Sequence, residues 1–308
     1  MAEKPFRVLS LDGGGAKGFY TLGILREIEG LIGCPIHERF DLIFGTSTGA
    51  IIASMLALGK SVEEVHETYT KHVPTVMRKS TPGEKSKALA ELADEVYEDA
   101  AFTDMKTKVG IVTTRWVEER PMIFKGDIAQ AHGRHGTFVP GFGVKVSDAV
   151  QASCSAYPFF NRKTVTTAQG DHVELIDGGF CANNPALYAI AEATQPLNVA
   201  PENLRVVSLG VGSYPAPKMN VISKSYWINL IPSVKLAQKM FEINTQSLDQ
   251  LRGILYKHIP TVRINRAYTE PTMAADMFEH DLAKLNVLRQ RGAQCYAEHE
   301  GKLKEFLT

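Results

Sequence analysis

Little in this chain of 308 residues suits it to crossing or entering a membrane. Its longest mostly apolar run, AIIASMLAL at 50–58, falls well short of the roughly 20 residues a spanning helix needs. The first residues, MAEKPFRV, hold no apolar signal core. An excess of one charge is also missing. Lys+Arg and Asp+Glu each number 34, which leaves no global field to gather nucleic acid. The local cluster Arg78, Lys79, Lys85 and Lys87 reads as solvated loop charge. Only four cysteines occur, Cys34, Cys154, Cys181 and Cys295, too far apart for metal-ligand spacing. They read as free thiols in a reducing compartment. Repeats, low-complexity tracts and Gly/Ser/Pro-rich linkers are absent, so nothing divides the chain into separate domains. These absences point to a cytoplasmic protein forming one unit over 1–308.

What is present is an alternation of short apolar runs and helical stretches. FRVLSL (6–11), FDLIF (40–44), KVGIVTT (108–114), PMIFKG (121–126), VELI (173–176) and LRVVSLGV (204–211) read as strands. Helices are expected over 19–31, after the FDLIF strand and its glycine turn through Met55, from Ser61 as N-cap, and over 186–194. The pattern predicts a mostly parallel central sheet with helices on both faces, a three-layer α/β/α fold. Residues 78–100 read as a polar insertion, a mobile loop plus a surface helix. The core is expected over about 5–212, with a helical C-terminal part over 213–308.

Two glycine-rich turns carry the chemistry. Gly45-Thr46-Ser47-Thr48-Gly49 lies between a strand and a helix, the setting of a nucleophile elbow. Such a turn strains the serine backbone and passes close to its neighbours, where a Cβ at 45 or 49 would clash. The other turn, Asp12-Gly13-Gly14-Gly15-Ala16-Lys17-Gly18, matches the G-x-G-x-x-G dinucleotide fingerprint. That motif calls for an acid closing the second strand, and FDLIF ends without one. The amides of Gly13, Gly14 and Gly15 at a helix start suit the oxyanion of a tetrahedral intermediate better. Lys17 either adds positive charge there or is solvated. Asp177, heading Asp177-Gly178-Gly179 at a strand end, is the candidate base. Read alone, it is also an ordinary turn aspartate. No histidine has a claim: His258, His280 and His299 lie in helical or surface-like stretches, His172 lies just before a strand, and His132 and His135 sit in a Gly-rich loop.

Taken together and in order, these motifs resemble the patatin-like phospholipase family. ASCSAYPFF (152–160) looks like the family's small-residue helix and its proline-containing turn, and Asn183-Asn184-Pro185 like the helix start after Asp-Gly-Gly. The resemblance covers about residues 5–212. It implies a Ser47–Asp177 dyad without histidine, an oxyanion hole at Gly13–Gly15, and hydrolysis of phospholipid acyl esters without metal or cofactor. Short bacterial members include cytosolic lipases that act as antiviral effectors switched on by cyclic nucleotides, so a cyclic-nucleotide activator is an implied partner. The rival readings are a general esterase or thioesterase, a nucleotide-binding module built on the glycine loop, and a catalytically silent scaffold or storage protein of the same fold. For contact with the inner membrane face, SYWINLIPSVKLAQKMF (225–241) offers Tyr226, Trp227, Ile228, Leu230 and Ile231 around Pro232, flanked by Lys224 and Lys235. The same residues also suit a helix that covers the sheet.

Overall fold

A computed structural model describes residues 4–217 and 231–308. Eight strands form one sheet, in the order β5-β6-β3-β2-β1-β7-β8, with β4 also paired to β3. The strands are β1 (Phe6–Leu11), β2 (Leu42–Thr46), β3 (Lys108–Arg115), β4 (Arg120–Lys125), β5 (Lys163–Thr166), β6 (His172–Asp177), β7 (Leu204–Leu209) and β8 (Thr261–Ile264). β3, β2, β1, β7 and β8 run parallel, while β4, β5 and β6 are antiparallel to their neighbours.

The central strands bury both faces, which is why they read as near-continuous apolar runs. Leu9, Leu11, Ile43, Ile111, Val207 and Leu209 point into one core. That core is closed by α1 (Gly18–Ile32), α3 (Thr48–Ala57), α4 (Val62–Arg78), α5 (Pro82–Tyr97), α6 (Val146–Ser153) and α10 (Leu282–Ala297). Val8, Leu42, Phe44, Leu204 and Val206 point into the other, covered mainly by α8 (Ala186–Thr194). The remaining helices are α2 (Ile36–Arg39), α7 (Gly179–Ala182), α9 (Ile231–Leu255) and α11 (Glu300–Leu307). The three-layer α/β/α arrangement is therefore as expected.

Three local expectations fail for identifiable reasons. Residues 78–100 are not a mobile loop, because Thr81 caps α5 with Glu84 in a reciprocal capping box and Pro82 opens the first turn. Ala88, Leu89 and Leu92 then pack into the core. Lys85 is 2% exposed rather than solvated, and its ammonium donates to the Met77 carbonyl at 2.8 Å. The third is the C-terminal part, which is not purely helical: β8 extends the sheet beyond β7, past residue 212.

The topology places the site. Strand β3 has two edges, and β4 occupies one along Gly110–Arg115. The other edge is shared. β2 pairs with it as far as Thr46 opposite Val112, and β6 takes over with Asp177 opposite Thr113. Two strands thus meet end to end, with Ser47 leaving one as Asp177 closes the other.

Candidate active site

Ser47 adopts φ 53° and ψ −121°, a conformation L residues rarely take, as it turns from β2 into α3. The flanking glycines are steric necessities. A Cβ at position 45 would stand 2.2 Å from the Gly49 carbonyl oxygen, and one at 49 would stand 2.2 Å from that of Leu11. The turn is pinned from outside as well. The Ser47 N–H donates to Ser153 Oγ at 2.9 Å, and that hydroxyl donates to the Val112 carbonyl at 2.6 Å.

Asp177 is 2% exposed. Its Oδ2 accepts the Ser47 hydroxyl at 2.7 Å, and Oδ1 accepts the Gly179 N–H at 2.7 Å. Burial pushes this carboxyl up to about 7, against the opposing pull of those two hydrogen bonds. The Asp177 N–H donates to the Ser155 carbonyl at 2.9 Å, so the ASCSAYPFF stretch braces both members of the pair. Gly178 is required because a Cβ there would lie 2.1 Å from the Val112 carbonyl oxygen.

The glycine loop lies directly over the serine. A Cβ on Gly13 would come 3.2 Å from that of Ser47. The three amides are not equivalent, however. Gly13 donates to the Asn183 carbonyl at 2.9 Å, so its N–H is engaged. Among the described residues no acceptor takes the N–H of Gly14 or Gly15, and both residues line the cleft in front of Ser47. This narrows the expected Gly13–Gly15 donor set to two. Gly15 is also held in the left-handed region, at φ 59°.

Asp12, at the head of the loop, is an anchor. Its carboxylate takes a bidentate pair from Arg263 on β8, at 2.9 and 2.5 Å. Burial still raises its pKa to about 6, with Arg263 as the main opposing influence. Asn183 ties the loop to α9: its Nδ2 donates to Gly13 O and Thr245 Oγ1, and its N–H to Asn244 Oδ1. Neither Arg263 nor Ser153 stands out in the sequence, since each acts through a partner far along the chain.

The cleft holds about 370 Å³, and its walls mix charged side chains, Lys17, Lys239, Glu242 and Asp276, with apolar ones such as Val211 and Phe241. Lys17 is half-buried and makes no ion pair among the described residues; burial lowers its pKa, while Glu242 and Asp276 counteract. No described histidine lines this cleft. His280 and His299 face the carbonyls of Phe278 and Cys295, and His258 packs beside Tyr256. Among the described residues no group of three His, Cys, Asp or Glu side chains could hold a metal ion.

The family model described as patatin-like phospholipase matches residues 9–190, which include the glycine loop, Ser47 and Asp177. The chain belongs to the patatin-like phospholipase family. It is 57% identical over 303 residues to an Escherichia coli protein named cUMP-AMP-activated phospholipase, covering 98% of this chain and 93% of that one. It is 32% identical over 211 residues to a Vibrio cholerae protein named cGAMP-activated phospholipase, covering 60% of this chain and 57% of that relative. The solved structure of VipD from Legionella pneumophila superposes with a TM-score of 0.52 at 13% identity, over 99% of this chain and 68% of that one. That likeness concerns the patatin fold alone.

Proposed function

We propose that this patatin-family chain hydrolyses fatty-acyl esters of membrane phospholipids through a Ser47–Asp177 dyad, and that a cyclic dinucleotide activates it. The observation that carries the reading is the 2.7 Å hydrogen bond from a strained, buried serine to a buried carboxylate, beneath two amides that have no acceptor among the described residues. Asp177 takes the Ser47 proton as Oγ attacks the ester carbonyl. The Gly14 and Gly15 amides stabilise the oxyanion, the C–O bond breaks, and the leaving alkoxide receives the proton. Water then attacks the acyl-enzyme with Asp177 again as base, and the proton passes to Ser47 Oγ as its bond to the acyl carbon breaks and the fatty acid leaves. A base near pH 7 combines ionisation with driving force at neutral pH, as an unperturbed carboxylate would not. The names of the two bacterial relatives support the activator. The decisive experiment incubates the protein with mixed phospholipids, with and without cUMP-AMP, and reads released fatty acids by mass spectrometry. Release of no fatty acid under either condition overturns the proposal.

The oxyanion assignment predicts that Gly14→Ala lowers kcat by about 10²-fold or more. A Cβ there would press to 2.5 Å from Val211 Cγ2 and shift the loop. Steady-state rates on a soluble ester check this, and intact activity in a folded variant contradicts it.

Contact with the inner membrane face forms part of the same reading. No described helix is long and apolar enough to cross a bilayer. Lys224, Tyr226, Trp227, Ile228 and Leu230 lie outside the described residues. Further along, α9 carries Leu236, Met240, Ile243, Leu251 and Ile254 exposed at spacings of one helical stripe. Its opposite side supplies Phe241 and Thr245 to the cleft. A bilayer covering the stripe would lie against the outer side of α9, with that helix between the lipid surface and the cleft that holds Ser47. Ile243, 64% exposed, is the test position. Ile243→Glu should lower vesicle-lipid hydrolysis at least tenfold relative to that of a short soluble ester, together with vesicle co-sedimentation. An unchanged ratio removes α9 from the contact.

A further inference from the structure

Two strands that meet end to end leave amides at the junction to be satisfied from outside the sheet, and here one short segment takes three of them. The N–H of Ser47 donates to Ser153 Oγ at 2.9 Å, that of Gly178 to the Ser153 carbonyl at 3.3 Å, and that of Asp177 to the Ser155 carbonyl at 2.9 Å. Ser153 ends α6 and Ser155 follows it, so ASCSAYPFF reaches both catalytic turns through two residues. Two of these bonds use backbone carbonyls, which a substitution of either side chain leaves in place. The third uses a side chain, and it is the one on the nucleophile. Ser153 is fully buried, and its hydroxyl accepts from Ser47 while donating to the Val112 carbonyl on β3 at 2.6 Å. Thr46 is the last residue of β2 in register with β3, opposite that same Val112. The hydroxyl thus continues the link between the two strands beyond their ladder, where Ser47 leaves it at φ 53°.

We propose that Ser153 is a positioning residue for hydrolysis, its hydroxyl holding the Ser47 backbone so that Oγ stays on Asp177. The inference rests on the Ser47–Asp177 dyad. A non-glycine residue at such a φ persists only where its surroundings over-determine it. The flanking glycines permit the turn by removing clashes, but selecting it takes bonds to Ser47 itself. The start of α3 holds the carbonyl, where the Ala50 N–H donates at 2.8 Å, and Ser153 holds the N–H. With the peptide groups on both sides of Cα fixed, the Cα–Cβ bond has one direction, and a single rotation brings Oγ to 2.7 Å from Asp177 Oδ2. Without the Ser153 hydroxyl, the Ser47 N–H and the Val112 carbonyl both lose their partner in a buried place, and each gains by moving toward the other. That movement takes Ser47 out of line with Asp177. Ser54 supplies the comparison. It is equally buried, but its hydroxyl donates to the Ala50 carbonyl within α3 and meets the Tyr97 hydroxyl, away from the dyad.

The test compares Ser153→Ala, Ser153→Cys and Ser54→Ala in the full chain, with cUMP-AMP present and a short soluble ester as substrate. Melting curves establish that each variant is folded. The thiol fills the Ser153 site with a weaker hydrogen-bonding group and serves where alanine does not fold. Positioning predicts that kcat falls about tenfold to 10²-fold in Ser153→Ala, and in the same direction in Ser153→Cys, while KM changes little. The second readout is the pH midpoint of kcat/KM. The Ser47 hydroxyl favours the ionised form of Asp177, so a loosened contact moves the midpoint above about 7. A loss of stability alone lowers the amount of active protein and leaves that midpoint where it is. Ser54→Ala should keep the wild-type kcat and midpoint. A wild-type kcat or an unmoved midpoint in the folded Ser153 variants overturns the proposal, as does an equal loss in Ser54→Ala. Ser47→Ala keeps the two readings apart: turnover that survives this change refutes the dyad itself, whatever the Ser153 variants show.

Discussion

Ser47→Ala and Asp177→Asn should each reduce ester hydrolysis by about 10⁴–10⁶-fold, and the double variant should lose little more. Residues that act as one unit are not additive, because removing either member disables the step that needs both. Here the unit is a single 2.7 Å hydrogen bond, with no described histidine in the cleft to substitute for the carboxylate. A fluorophosphonate probe should label the wild type and not the alanine variant. Wild-type-like turnover in either single variant refutes the dyad.

The same carboxylate links activity and stability with opposite signs. Burial raises Asp177 from 3.8 to about 7. Hydrolysis needs the ionised form, so kcat/KM should rise with pH through about 7 and level off above it. Folding favours the protonated form, because the native state binds the proton more tightly than the unfolded chain. Stability is therefore lost between about pH 4 and 7, by up to roughly 4 kcal/mol for a shift of this size. Asp177→Asn escapes that loss. It should melt higher than the wild type at pH 8 and gain nothing at pH 4, which separates lost chemistry from lost fold.

Features set by local sterics were legible in the sequence. GTSTG announces a strained turn because a Cβ on Gly45 would meet the Gly49 carbonyl four residues on, and FRVLSL reads as a strand because both its faces are buried. Features that depend on distant partners were not. FDLIF begins two residues too early, because Asp41 instead bonds the Arg7 N–H at 2.8 Å and the strand runs on through Gly45-Thr46. VELI carries no sign that β6 runs antiparallel and meets β2 end to end, since that register belongs to β3. Lys85 looked solvated because a lysine shows its burial only through its acceptor, here the Met77 carbonyl. Gly13 looked like an oxyanion donor until the Asn183 carbonyl, 170 positions along the chain, took its N–H.

The most distant of these partnerships should also be the most expensive to break. Asp12 and Arg263, 251 positions apart, form a buried bidentate pair beneath the glycine loop. Removing one member of such a pair leaves an uncompensated charge and costs about 3–5 kcal/mol, whereas replacing both by apolar residues of similar size is often neutral. Arg263→Met should therefore destabilise strongly, and Asp12→Leu combined with Arg263→Met should recover most of the loss. The pH dependence identifies the cause. Asp12 is raised to about 6 even with Arg263 beside it, and without that guanidinium its pKa rises further. From about pH 4 to 6 both proteins lose stability alike, since in each the folded state holds the Asp12 proton longer than the unfolded chain. Above about pH 6 the wild type levels off while Arg263→Met continues to fall, so the gap in urea midpoint should widen between pH 5 and pH 8. An equal gap at both pH values would mean that packing, not the stranded carboxylate, accounts for the loss. Activity supplies a second readout. Hydrolysis that stays low in the stable double variant assigns the pair to positioning the Gly14 and Gly15 amides, and full recovery confines it to stability.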